Sequence, residues 1–331
     1  MDYRTLGNSD LRVSRLAFGC WGITSDFHWG ERDEQASVDA IEAALDAGVN
    51  FFDTAEVYGD GRSEELLGRV LSRRRDQVVI ASKIHPRSMR PDQVAEACER
   101  SLRRLNTDYL DLLQTHWTDP QVPIAETWEA LLKLKEQGKV RHVGVCNAGT
   151  SDLADVCALQ APVSNQLPYN LLWRAIEDAI LPACRERNIS VLAYSPLMHG
   201  LLADKYRSAA EVPDGRARSR HFSGTRPLAR HGEPGCEEET FAALDRIRAI
   251  AREAGRPMAD LALNWVAAQP GVDCVIVGVA NAAQLAENVR FLERGRESDL
   301  REALTRATDD LRRALGPNPD MWQTASESRY R

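Results

Sequence analysis

The chain has 331 residues, 43% of them hydrophobic and 27% charged, with a formal net charge of −7. This is an ordinary globular balance with ample apolar material for a large core. The negative charge disfavours nucleic acid or an anionic membrane surface as partner, and no apolar run approaches the length of a bilayer span. The 7 cysteines are scattered without CxxC spacing, so neither a disulfide framework nor a metal site is expected. Residues 1–6 lack the apolar segment of a secretory signal, and a cytoplasmic protein is expected.

Along the chain, Leu6-Gly7-Asn8-Ser9-Asp10-Leu11-Arg12-Val13 sets turn formers between short strand-like pieces. It reads as a hairpin plugging the bottom of a barrel. From Leu16 onward, short apolar runs alternate with longer amphipathic stretches, the rhythm of repeated βα units. Strands are expected at 15–19, 49–52, 78–82, 109–115, 140–145, 163–166, 190–194 and 272–277, enough for a closed parallel barrel. Between them run helical stripes such as Val38, Ile41 and Leu45, or Ile124, Trp128, Leu131 and Leu132. Ser63-Glu64-Glu65 reads as a helix start whose hydroxyl and carboxylates meet the exposed first-turn amides.

Residues 205–237 are rich in Arg, Gly and Pro and too long for a routine βα connection, so they read as a lid after strand seven. Helical patterns at 282–294 and 298–315 follow strand eight, then a Pro-containing tail, 316–331, that either folds over the mouth or lies disordered. The expected architecture is one α/β domain over 1–331. It is a (β/α)8 TIM barrel with an N-terminal hairpin, a long loop after strand seven and extra C-terminal helices.

Chemistry in such a barrel gathers at the carboxyl ends of the strands. Asp53, Lys83 and His116 fall where expected strands end, and Tyr58 follows Asp53 closely in a loop. Taken singly, each has a bland explanation: a surface ion pair, a packed aromatic, an imidazole satisfying a carbonyl. Brought to one mouth, a phenol, an ammonium, a carboxylate and an imidazole make a proton-transfer site.

The ordered motifs resemble the aldo-keto reductases. These are Gly19-Cys20-Trp21, the run from Asp53 to Tyr58-Gly59, Ser82-Lys83, Gln114-Thr115-His116, Gly144-Val145-Cys146-Asn147, Asn165-Gln166-Leu167-Pro168-Tyr169-Asn170, Ala193-Tyr194-Ser195-Pro196-Leu197 and the segment from Gly278 to Asn288. The resemblance implies a barrel that binds a nicotinamide dinucleotide, and neither GxGxxG nor GxxxxGK[ST] occurs to suggest another phosphate loop. It implies that Tyr58 is the general acid, Lys83 lowers its pKa, Asp53 holds Lys83 and His116 orients the carbonyl. For the cofactor it implies Gly19, Cys20, Trp21 and Asp53 near the ring, Tyr194 stacked on it, and Asn147 and Gln166 on its carboxamide. Cys146 stands where the family often has Ser. Ser195, Pro196, Leu197, Gly200 and Leu201 would wrap the pyrophosphate, with Gly278, Gln284, Glu287 and Asn288 at the adenosine.

Residues 278–284 carry no basic side chain. Arg290, or Arg216, Arg218 and Arg220 of the long loop, would have to supply charge for a 2′-phosphate. NADPH is favoured and NADH stays open. Trp21, Tyr58, His116 and Trp117 are the expected substrate contacts, with His28, Trp29 and Met198 as further mouth residues. The expected activity is NAD(P)H-dependent reduction of aldehydes or ketones, on a small-molecule carbonyl or sugar. The alternatives are an NAD(P)+-dependent aldose dehydrogenase, a redox-sensing nicotinamide-binding regulatory subunit and, more weakly, a metal-dependent barrel hydrolase. The oligomeric state is open.

Overall fold

The computed structural model describes residues 1–25, 30–295 and 298–331. His28 and Trp29 lie outside the described residues. The chain opens with an antiparallel hairpin, β1 (Tyr3–Thr5) and β2 (Arg12–Ser14), closed by a hydrogen bond from Leu6 N to Leu11 O of 3.0 Å. Gly7 sits at φ +47, and a Cβ there would meet Val163 O at 2.6 Å, so both conformation and close approach require glycine. Leu6, Leu11 and Val13 pack with Ala17, Phe51, Ala81, Leu112 and Leu192 into a buried cluster that fills the barrel floor.

Eight parallel strands then close on themselves. They are β3 (Leu16–Gly19), β4 (Phe51–Asp53), β5 (Val79–Ile84), β6 (Leu110–Thr115), β7 (Val140–Cys146), β8 (Ser164–Pro168), β9 (Ser190–Tyr194) and β10 (Val272–Gly278), with β10 pairing both β9 and β3. Between β3 and β9 run α1 (Glu34–Asp46), α2 (Arg62–Leu71), α3 (Pro91–Leu105), α4 (Ile124–Glu136), α5 (Thr150–Cys157) and α6 (Ile180–Glu186). Two helices, α7 (Glu237–Glu253) and α8 (Met258–Ala267), precede β10; α9 (Ala282–Glu293), α10 (Ser298–Ala307) and α11 (Asp309–Leu315) follow it. The expected barrel, hairpin and extra helices are all present. Among the described residues no helix is long and apolar enough to cross a membrane.

Strand side chains alternate between two cores. Phe18, Phe52, Ile80 and Leu113 face the surrounding helices, while Ala17, Phe51, Ala81 and Leu112 face the barrel axis. Continuing the inward parity by two residues reaches Gly19, Asp53, Lys83 and Gln114 in turn. The strand ends thus carry the polar layer above an apolar floor. Several strands run one or two residues further than expected, to Asp53, Ile84, Pro168 and Gly278, because the hydrogen-bond ladder continues through polar strand-end residues such as Asp53, Lys83 and Gln166.

Two local expectations are corrected. Ser63 and Glu64 do not cap α2: Ser63 Oγ donates to Cys20 O at 3.0 Å, and Glu64, fully buried, accepts from Ser82 Oγ at 2.6 Å and from Arg104 at 3.2 Å. Tertiary contacts take these groups instead of the helix end, Ser63 bonding to Cys20 and Thr54, and Glu64 to Ser82 of the strand that carries Lys83. The pattern over 298–315 divides at Thr308, which is buried and hydrogen-bonded by Arg174 at 3.1 Å.

Candidate active site

Inward parity and strand stagger bring the four expected residues together. Lys83 Nζ donates to Asp53 Oδ2 at 2.8 Å, to Thr54 O at 2.8 Å and to Tyr58 OH at 3.3 Å. The side chain of Lys83 is wholly buried behind Tyr58, so its three donors have three partners. The free oxygen of Asp53, Oδ1, accepts from Gln166 Nε2 at 2.7 Å. His116 follows β6 and sets its ring edge-on to Tyr58, 5.7 Å between centroids, while Trp21 stacks on the other side at 6.1 Å. Tyr58, His116 and both flanking indoles, Trp21 and Trp117, line a cavity of about 1170 Å³.

Burial is the largest single influence on Lys83 and opposes its charge, but the Asp53 carboxylate, Tyr58 and Cys146 together outweigh it and keep the ammonium protonated. Burial also pushes the Tyr58 phenol upward, against the lowering influence of Lys83. The expected net lowering of Tyr58 is therefore corrected: Lys83 acts in the expected direction, and desolvation is the larger effect. His116 is driven well below its ordinary value by burial and then by the Lys83, His85 and Arg329 charges, and its ring is neutral.

The cavity extends from this cluster along the strand ends. Gly19, Cys146, Asn147, Gln166 and Tyr194 line it, followed by Ser195, Pro196, Leu197, Met198 and Gly200, and finally Gly278, Gln284, Glu287 and Asn288. Cys20 and Leu201 do not; both are buried, and the Cys20 thiol points at Phe18 O. Beyond β9 the backbone takes left-handed φ at Ser195 (53), Met198 (41), His199 (52) and Gly200 (102). Side-chain-bearing residues adopt this conformation at a cost of about 1–3 kcal/mol each, and such turns make concavities that accept anions. A Cβ at Gly278 would meet nothing nearer than Gly19 O at 3.9 Å, so the cavity is roomy at the end of β10. These features fit an elongated dinucleotide.

Part of the cavity's positive lining comes from the long loop. Lys205, Arg216, Arg218 and Arg230 line the cavity. Arg220 does not: it holds the tail, its backbone N donating to Met321 O at 2.8 Å, while its side chain donates to Leu315 O at 2.9 Å and pairs with Glu233 at 2.7 Å. Arg290 pairs with Glu287 at the surface. Asn281 Oδ1 caps α9 by accepting from Gln284 N, while Gln284 Oε1 accepts from Ala280 N, so both oxygens are spent on the helix start.

The tail folds over the mouth. Asp320, fully buried, accepts from Arg329 Nε and Nη2 at 2.7 Å each, and the Arg329 guanidinium lies 3.5 Å from the Trp117 ring centroid. Tyr330 OH donates to Asn147 Oδ1 at 2.8 Å, beside Tyr194 OH on the same oxygen at 2.9 Å. Arg331 O accepts from Ser151 N at the start of α5. Trp322, Arg329 and Tyr330 escape sequence reasoning because the tail has no periodicity. Its clustered Trp, Arg and Tyr, spaced around an Asp, were the available signal.

Over residues 15–301 the chain matches the Aldo/keto reductase family. It is 33% identical over 296 residues to the aldo-keto reductase YhdN of Bacillus subtilis (strain 168), covering 86% of this chain and 87% of that protein. It is 31% identical over 310 residues to a probable voltage-gated potassium channel subunit beta of Arabidopsis thaliana, covering 88% and 92% respectively. Among solved structures, the glycerol dehydrogenase AKR11B4 from Gluconobacter oxydans has a TM-score of 0.79 at 31% identity, covering 96% of this chain and 97% of that one. With a closed eight-stranded barrel and a polar cavity at its strand ends, the chain is an oxidoreductase that belongs to the aldo/keto reductase family.

Proposed function

We propose that this oxidoreductase reduces aldehydes or ketones to alcohols with NADPH, acting as a single cytoplasmic domain on small molecules, with Tyr58 delivering the proton. The observation that carries the reading is the unbroken chain Asp53–Lys83–Tyr58, at 2.8 and 3.3 Å, ending on the cavity beside His116. A nicotinamide bound along the cavity supplies the hydride. Tyr58, kept protonated by burial, meets the oxygen on which charge develops. That oxygen becomes an alkoxide about as basic as hydroxide, a far stronger base than a phenolate. Proton donation is therefore downhill even from a raised phenol. Lys83 replaces part of the lost stabilisation as the phenolate forms, and Asp53 and Thr54 O fix where its charge sits. His116, neutral, offers an N–H to the same carbonyl without adding a cation beside Lys83.

Lys205, Arg216, Arg218 and Arg230 support NADPH over NADH, since a 2′-phosphate gains charge-assisted hydrogen bonds that a hydroxyl does not. Asn147 and Gln166 are assigned to the carboxamide, with Tyr194 against the ring. Asn147 Oδ1 has two hydroxyl donors and Nδ2 donates to His116 O at 3.1 Å and Cys146 Sγ at 3.2 Å, so a bound carboxamide would take the place of one of these partners, the weak thiol contact first.

The reverse reaction is the second reading, favoured by the likeness to a glycerol dehydrogenase. One experiment tests the assignment: NADPH and NADH titrations of Tyr58→Phe and the parent by fluorescence, followed by turnover with an aldehyde panel and a polyol panel. The variant should bind NADPH like the parent and lose roughly 10²- to 10⁴-fold in turnover. Full turnover by the variant would reject Tyr58 as proton donor.

A further inference from the structure

Most of the tail's polar groups are spent on holding it in place, and Arg329 is the exception. Its Nε and Nη2 form a side-on fork to buried Asp320 at 2.7 Å each, and its face lies on Trp117 at 3.5 Å. Those contacts account for one edge and one face of the guanidinium. The end-on edge, with both N–H groups of Nη1 and the second of Nη2, has no protein partner among the described residues, and Arg329 lines the cavity. Trp117 directly follows His116 in sequence, so the cation sits close to the carbonyl end of the cavity, where its charge depresses the imidazole.

We propose that the open edge of Arg329 binds a carboxylate on the substrate, making the preferred substrates short carbonyl compounds that carry an acid group a few bonds from the carbonyl. This rests on the reductase reading above. The planar edge matches a carboxylate in bidentate geometry, which a point cation would not. Asp320 holds back part of the guanidinium charge, which suits a singly charged carboxylate better than a phosphate dianion. Trp117 and Trp322, which both line the cavity and meet edge to face at 6.0 Å, shield the pair from water and raise its strength. The aromatic mouth therefore selects a short apolar spacer between two polar ends.

The test has a binding arm that needs no turnover. Full-length protein, with and without NADPH, is titrated with butyrate and with butyramide, its neutral isostere, following the tryptophan fluorescence. The acid should bind at least about tenfold more tightly than the amide. Arg329→Gln, which keeps a donor for Asp320, should abolish the difference, and Arg329→Lys should retain part of it. The catalytic arm compares kcat/KM for an aldehyde bearing a terminal carboxylate with its methyl ester, and the acid-to-ester ratio should fall at least about tenfold in Arg329→Gln. An acid preference that is absent in the parent, or that survives Arg329→Gln, overturns the proposal. Equal losses on acid and ester would likewise overturn it, by showing a purely structural role. Loss of all aldehyde turnover with the binding difference intact would instead count against the reductase reading alone.

Discussion

Lys83 and Arg329 are both cations at the same cavity, held in different ways. Lys83 is on a strand, its side chain has no exposure, and each of its three protons has a partner. Arg329 is on the tail, its side chain is 29% exposed, and one edge is committed while the other is open. The barrel strands hold groups whose positions the chemistry cannot vary. The loop and tail, tied down by a few ion pairs and carbonyl contacts, hold groups that choose what enters. This division lets one scaffold keep a reaction while changing its substrates.

The largest test of that contrast removes the buried cation. Lys83→Met should leave Asp53 with a lone donor, Gln166, in a buried site. A loss of about 3–5 kcal/mol in stability is expected, the cost of breaking a buried pair from one side. Turnover should fall by roughly 10²- to 10⁴-fold, since the phenolate formed at Tyr58 loses its counterion. Urea unfolding and steady-state rates measure the two effects. A variant as stable as the parent would show that the strand-end cluster is no more rigid than the tail.

The same contrast explains how much was legible in the sequence. Asp53, Lys83 and His116 could be found because strand parity continues an apolar pattern into a polar one, and the motif series supplied Tyr58. The strand ends were placed short because the ladder runs on through polar residues where the apolar pattern is interrupted. The net rise of Tyr58 was not legible, because desolvation depends on everything packed around the ring. Nor was the reassignment of Ser63 and Glu64 from capping to anchoring, since their partners Cys20, Ser82 and Arg104 lie far along the chain. The tail contacts of Arg220, Arg329 and Tyr330 are longer-range still, and no local periodicity announces them.

Acid sharpens the comparison with a smaller effect. His116 at the strand ends and His221 within the long loop are both lowered by burial, His221 from 6.5 to about 4. His221 is fully buried between Ser219 Oγ and Leu172 O at 3.1 and 2.9 Å. As pH falls below about 6.5, the unfolded chain takes up these protons while the folded chain does not. Their stabilising effect is therefore complete above pH 6.5 and is lost as pH falls toward 4. His221 alone accounts for about 3 kcal/mol over that window. Urea unfolding at pH 7, 5.5 and 4.5 should show the decline, and His221→Gln should flatten it by about one proton. An unchanged slope in the variant would mean that the loop opens before it titrates.

The smallest expected effects lie where the two regions touch. Asn147 Oδ1 accepts one hydroxyl from strand β9, Tyr194, and one from the tail, Tyr330, and burial keeps both phenols protonated as donors. Removing either hydroxyl leaves the oxygen with the other, so Tyr194→Phe and Tyr330→Phe should each cost about 1 kcal/mol or less. Removing both strands a buried acceptor, at about 1–3 kcal/mol for that group beyond the separate losses. A double-mutant cycle by urea unfolding reads this coupling directly. Positive coupling would show the tail and the barrel sharing one polar site. Strict additivity would mean that water replaces the tail hydroxyl as soon as it is gone, and that the tail lies on the barrel without completing it.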